Sequence, residues 1–265
     1  MINVLNLNKK LLIGVIHLGP LPGSPDWSHN LPILIAHAIR DAKAYEKGGA
    51  HALIMENFGD APFTKNSVAP ETVAAMSTIA YAIRQETSLP LGINVLRNDA
   101  HAALAIATAC GGSFIRVNVH TGAMLTDQGI IEGNAYYTLR LKKMLNPKIH
   151  IWADVHVKHA LPLAPFPIEE TAHDTLERGK VDAIILSGHS TGDPVNLDEL
   201  QRVRKSCPKA SIALGSGVTL QNIKTYLPYA NGFIVGSSLK KQGKLFNPVD
   251  PKRVSQLVQA IWNAN

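Results

Sequence analysis

The sequence predicts one domain over residues 1–265, a closed (β/α)8 barrel, on three observations. Eight short aliphatic or β-branched runs alternate with amphipathic segments, the pattern of βαβ crossovers and a parallel sheet. The long connections, at 18–30, 58–69, 121–133 and 158–168, all follow strands, whereas the helix-to-strand connections are short. That enlarges only the barrel face on which active sites are built. Finally, the last two runs enter glycine-serine turns, Gly215-Ser216-Gly217 and Gly236-Ser237-Ser238. Loops after strands seven and eight of such barrels commonly cradle a phosphate, because glycine lets backbone N–H groups approach closely. No G-x-G-x-x-G follows the first run, which argues against an open dinucleotide-binding sheet.

In order, the first unit pairs a strand at 11–17 with a helix at 31–47, and Gly48-Gly49 stand where a helix C-cap belongs. The second pairs 52–57 with 70–86. The third strand, 91–96, leads through Asp99, an N-cap residue, into a helix that ends at Gly111-Gly112. The fourth pairs 114–120 with 134–145, the fifth 149–157 with 169–178, and the sixth 183–187 with 197–205. Helices from Thr219 and Pro251 close units seven and eight.

Composition excludes several classes. Hydrophobic residues make up 46% of the chain, normal for a globular domain. No apolar run approaches the ~20 residues of a membrane span, so no transmembrane segment is expected. Residues 1–10 lack a basic region ahead of an apolar one, which predicts no signal peptide and a cytoplasmic protein. Cys110 and Cys207 have no ligand-like spacing and read as reduced thiols. The net charge is +6, but its basic groups, such as Arg202/Arg204/Lys205 and Lys240/Lys241/Lys244, lack interleaved aromatics. They read as solvated faces rather than a nucleic-acid groove. Attraction to an anionic membrane surface or an acidic small molecule stays compatible with that charge.

Side chains alternate across a strand, so parity sorts them. In the fifth strand Ile149, Ile151, Ala153, Val155 and Val157 face the helices, and His150, Trp152, Asp154, His156 and Lys158 face the barrel. Likewise Arg116, Asn118 and His120 point inward from the fourth strand, and Asn94 from the third. Polar groups inside a barrel are costly unless paired or liganded, so this convergence suggests a site. The bland counterpart is a self-satisfied ion-pair layer, Arg116 with Asp154.

Asp154 and Lys158, four apart on one face, could act as acid/base partners around a carbonyl or hydroxyl. A Schiff-base role for Lys158 requires a lowered pKa, which a nearby Asp154 opposes. His17 ends the first strand as a candidate general base or a structural histidine. Glu56, Asn57 and Asp60 end the second, where a carboxylate could hold a metal or a sugar hydroxyl, or merely cap a loop. His120, His156 and His189 end neighbouring strands, but no tight spacing enforces a metal site, and a divalent metal is unsupported. The loop 121–133 reads as a lid or substrate clamp whose Met124, Leu125, Ile130 and Ile131 could equally pack it down.

Long motifs carry a resemblance over essentially the whole chain. They are the opening His17-Leu-Gly-Pro-Leu-Pro22, Glu56-Asn-Phe-Gly-Asp-Ala-Pro-Phe-Thr-Lys65, Gly92-Ile-Asn-Val-Leu-Arg-Asn-Asp-Ala100, Phe114-Ile-Arg-Val-Asn-Val119, Thr126-Asp-Gln-Gly-Ile-Ile-Glu-Gly-Asn134, Ala153-Asp-Val-His-Val-Lys-His-Ala160 and Ser237-Ser-Leu-Lys240. Together they resemble the BtpA/SgcQ family. The resemblance implies a TIM-type barrel and, from the cyanobacterial member, a role in photosystem I accumulation at the thylakoid periphery. Relatives in non-photosynthetic bacteria and archaea, one encoded among sugar-phosphate genes, imply a metabolic ligand instead. His17, Asn94, Arg116, Asn118, Asp154 and Lys158 match the cyanobacterial pattern. His120, His156 and His189 depart from it, which argues against a family-wide role for them.

Two functions follow. The first is binding, with isomerase, aldolase or lyase chemistry compatible, of a small phosphorylated metabolite. Its phosphate would lie on Gly215–Gly217 and Gly236–Ser238, and its reacting end over Asp154, Lys158 and Asn94. The second is a non-catalytic photosystem I biogenesis factor acting peripherally at a membrane surface. Either is compatible with a homo-oligomer.

Overall fold

The computed structural model describes residues 9–263, so the stretch read as lacking a signal peptide falls outside it through residue 8. Along the chain run β1 (Leu11–His17), β2 (Ala52–Glu56), β3 (Leu91–Asn94), β4 (Phe114–Val117), β5 (Ala123–Thr126), β6 (Gly129–Glu132), β7 (His150–Val155), β8 (Ala160–Pro162), β9 (Ala183–Leu186), β10 (Ile212–Leu214) and β11 (Gly232–Val235). Eight of these close into one parallel barrel in sequential order, and β6, β5 and β8 form a separate antiparallel sheet. The helices are α1 (Leu31–Lys47), α2 (Pro70–Glu86), α3 (Ala100–Cys110), α4 (Ala135–Leu145), α5 (Ile168–His173), α6 (Leu197–Ser206), α7 (Ile223–Tyr226) and α8 (Pro251–Trp262). Among the described residues no helix is long and apolar enough to cross a membrane.

Local chemistry explains where the helices start. Asn30, Asp99, Asn196 and Asp250 each accept a backbone N–H of the following first turn, satisfying donors that no carbonyl can reach. Gly111 ends α3 in the left-handed region, at φ 71°.

Alternation along the strands builds two apolar layers. Inside the barrel lie Leu11, Ile13, Val15, Ile54, Phe114, Trp152, Ile185 and Ile234, with alanines at the tightest points. Outside, Ile93, Ile115, Ile151 and their counterparts pack under the helices. Phe114 and Trp152 stack at 4.5 Å between ring centroids and fill the barrel floor. Gly92, across the ladder from Phe114, leaves the space that ring occupies. On the other side the Tyr45 hydroxyl of α1 donates to the Val15 carbonyl at 3.0 Å. Buried Lys240 donates to Asp41 of α1 at 2.6 Å, anchoring the segment that follows β11.

The structure departs from the sequence reading at several points, the first being β3, which stops at Asn94 rather than residue 96 because the Leu96 N–H donates to the Asn57 side chain at 2.7 Å. β4 stops at Val117 because the Val119 N–H donates to the Asn98 side chain, not to the ladder. β7 stops at Val155, and His156 takes φ 52°. The 121–133 loop is the β5–β6 hairpin, with Met124 and Ile131 packed on Val119 and Val157. No helix starts at Thr219, whose N–H donates to the Asn222 side chain in a turn that delays α7 to Ile223.

The barrel floor yields a stability test. A methyl at Gly92 would overlap the Phe114 ring, so Gly92→Ala should cost ~1–3 kcal/mol in chemical denaturation. Phe114→Leu in the same chain should recover part of that loss, a non-additivity that no isolated propensity effect produces.

Candidate functional site

The polar groups that parity turned inward meet above the Phe114–Trp152 floor. Arg116 is their centre. Its Nε donates to Asp154 Oδ2 and its Nη2 to Asp154 Oδ1, both at 2.8 Å, and its Nη1 donates to Glu56 Oε1 at 3.1 Å. All three residues are buried. Asp154 also accepts from Asn118 Nδ2 at 3.2 Å and from the Ser187 hydroxyl at 3.1 Å. Asn94 donates to Asn118 Oδ1 at 3.0 Å and to the Arg116 carbonyl at 3.1 Å. Burial alone would lower the Arg116 pKa, but Asp154 and then Glu56 outweigh it and raise it, so the guanidinium stays charged. The ion-pair layer weighed from the sequence is therefore present, and four donated bonds saturate Asp154.

Above this layer lies a half-open cavity of ≈ 60 Å³. Gly215–Thr219 and the Ile234–Ser238 segment line one side, and His17, Glu56, Arg116 and Lys158 contribute its polar side chains together with Thr191. Asn94, Asn118 and Asp154 lie beneath it as support. Roughly four water-sized spheres fill such a volume, which suits a phosphoryl group or a short carbon chain.

The glycines earn their places sterically. A Cβ at Gly215 would overlap Ser187 Oγ and the Ile185 side chain and crowd Arg116 Nη2 at 3.0 Å, and one at Gly236 would press on the His17 ring. Gly217 has φ 68° and lies against the Asp193 carbonyl, so no side chain fits without displacing that loop. Ser216 accepts from the Gly188 N–H at 3.0 Å and donates to the Asp193 carbonyl, while Ser238 donates to the Val218 carbonyl at 2.8 Å. Both hydroxyls are engaged in shaping the turns. Ser237 begins a single 3-10 turn and faces the cavity.

Lys158 follows β7, and among the described residues its ammonium makes no ion pair or hydrogen bond. Burial, then Arg116, pushes its pKa below the usual lysine value, against the opposing pull of Glu56 and Asp154. His17 is half-buried at the cavity edge, edge-on to Phe58 at 5.1 Å. Burial and then the nearby Lys240 and Lys158 lower its pKa to about 3, so the imidazole is neutral at physiological pH. A neutral ring of that kind is a weak base but a serviceable hydrogen-bonding group.

The other histidines do not join the site. His120 shares a hydrogen bond with the Gly179 carbonyl at 2.9 Å, His156 with the Thr171 hydroxyl at 3.1 Å, and His189 is exposed. Period-two extrapolation misplaced them because both strands end first. Among the described residues no three potential metal ligands gather. Asp60 accepts from the Leu21 N–H and from Asn57, as a loop cap does. Glu56 is the residue that sequence reasoning undervalued, although its place at the end of β2 marked it. A larger groove of ≈ 940 Å³ runs outside the barrel between α3, α4 and the hairpin. Its Asp99 is already engaged, capping α3 and accepting from the Val68 N–H.

With this geometry established, comparison with known proteins fixes the family. The BtpA family model matches residues 8–263. This chain belongs to the BtpA family. A Pyrococcus furiosus protein is 48% identical over 96% of both chains. The photosystem I biogenesis protein BtpA of Synechocystis is 48% identical over 94% of this chain and 87% of that protein. Among solved structures, phosphoribosyl anthranilate isomerase from Thermus thermophilus aligns at TM-score 0.58 and 12% identity, covering 96% of this chain and 100% of that one. Tryptophan synthase from M. tuberculosis aligns at TM-score 0.61 and 16% identity, covering 96% of this chain and 94% of that one. The BtpA family barrel is thus a TIM-type barrel.

The neutral His17 has a pH signature. An unfolded histidine gains a proton below about 6.5, whereas the folded one resists until about 3, so stability should fall as pH drops through that window. His17→Gln should lose less over the same range by denaturant titration. Above pH 6.5 the two profiles should run parallel.

Proposed function

We propose that this barrel binds a small phosphorylated metabolite, with its phosphate on Gly215–Gly217 and Gly236–Ser238 and its carbon end toward Lys158 and Glu56. The carrying observation is the cavity itself, in which both glycine-serine turns face a lysine, an arginine and a carboxylate. Among the described residues the N–H groups of Ser237 and Ser238 have no backbone partner, so they are free to receive an anion. Reaction types that polarise or deprotonate beside a carbonyl, namely isomerisation, aldol cleavage and lyase chemistry, suit this lining.

A second reading is a photosystem I biogenesis role exerted peripherally at a membrane surface. It rests on the name of the Synechocystis relative and on the outer groove, where Ile130, Tyr137 and Met144 are exposed. Similar identity to proteins of Pyrococcus furiosus and Methanocaldococcus jannaschii, organisms without photosynthesis, favours the metabolite reading. Vesicle co-sedimentation without any effect of phosphate compounds would favour the other.

The test uses Ser237→Asp, because valine at Gly217 or Gly236 would disturb the Asp193 loop or the His17 ring. Calorimetry with inorganic phosphate and three- to six-carbon sugar phosphates should show binding to the wild type. A carboxylate at position 237 should weaken it by at least ~10-fold through like-charge repulsion. Equal affinity for unphosphorylated sugars would contradict the proposal.

A further inference from the structure

Resting on that reading, we infer that Lys158 is a carbonyl-capturing nucleophile, forming an imine with the aldehyde or ketone of a phosphorylated ligand. A lysine beside Asp154 would ordinarily be pinned as an ammonium, but both Asp154 oxygens are taken by the bidentate Arg116, Asn118 and Ser187. Glu56 gives one oxygen to Arg116 as well. Arg116 thereby occupies Asp154, leaves Glu56 with one oxygen uncommitted, and adds a like charge to the surroundings of Lys158. Burial then favours the free amine, the nucleophilic form.

Placement agrees. Lys158 lines the same small cavity as both glycine-serine turns, so a ligand held there by its phosphate presents its carbon end to the amine. Arg97 donates to the Lys158 carbonyl, fixing the backbone from which the side chain extends. Glu56 lines the cavity as well and is the group placed to carry protons.

In the step, the Lys158 nitrogen lone pair forms a bond to the carbonyl carbon, and the C=O π electrons move to oxygen. Glu56 takes a proton from the nitrogen and returns it to that oxygen, giving a neutral carbinolamine. The nitrogen lone pair then expels the hydroxyl, which leaves as water on receiving a proton that solvent delivers through Glu56, and a protonated imine remains. No redox partner is required. The iminium draws electrons from the adjacent carbon, as isomerisation and carbon–carbon cleavage both demand.

Borohydride trapping reads this directly. The wild type is incubated at pH 7 with glyceraldehyde 3-phosphate, dihydroxyacetone phosphate or ribose 5-phosphate, reduced, and mapped by peptide mass spectrometry. At least one probe should leave its reduced adduct on Lys158 at least ~10-fold faster than on exposed lysines such as Lys148 and Lys205. Inorganic phosphate should slow that labelling, and Lys158→Met should abolish it. Calorimetry with inorganic phosphate separates the two ideas. Phosphate binding without a Lys158 adduct overturns the imine alone, and neither binding nor adduct overturns both. Adducts spread evenly over surface lysines also overturn the imine.

Discussion

The guanidinium of Arg116 is the constraint on which the barrel mouth depends. A buried arginine is tolerable only where anions and hydrogen bonds compensate its lost hydration. Here Asp154 grips it bidentately and Glu56 completes the triad, drawing together strands β2, β4 and β7. Asn118 and Ser187 then complete the donors around Asp154, and Asn94 donates to Asn118 while its own buried Oδ1 has no protein partner. Removing any one member would leave its partners charged and dry, so this layer behaves as a unit. It separates the apolar floor from the cavity above, and it narrows the choice at position 215, where a side chain would crowd the guanidinium.

The same arrangement divides labour at the mouth. Strands β10 and β11 end in glycine-serine turns that line one side of the cavity, where the Gly215 N–H is donated to the Leu186 carbonyl, and Lys158, after β7, lines it too. His17, neutral and wedged between Gly236 and Phe58, closes one wall. The buried Lys240–Asp41 pair holds the segment behind the β11 turn against α1, so the turn has a rigid backing.

Most of the fold was legible because the period-two and helical patterns are strong within each unit. Parity alone placed Arg116, Trp152 and Asp154 inside, since strand alternation leaves no choice where a strand is intact. It failed just beyond strand ends. His120 and His156 follow points where the backbone leaves the ladder, one through an Asn98 side chain and one through a left-handed residue. No pattern in the local sequence announces such a departure. The hairpin at 123–132 was hinted at by Thr126-Asp-Gln-Gly129, a turn between short apolar runs, but a lid and a hairpin share that signature. Parity also admitted the Arg116–Asp154 pair as one alternative, but the third member, Glu56, joins across β2, a contact that one-dimensional spacing does not encode.

Arg116 occupies both oxygens of Asp154 and one of Glu56, and among the described residues Lys158 is left without an ion pair. Titration of the Lys158 side chain by NMR, with assignment from Lys158→Met, measures this most directly. The account predicts a midpoint clearly below the ordinary lysine value of about 10.4. A midpoint at or above that value would mean that a carboxylate holds Lys158 as an ammonium, and the account would be wrong.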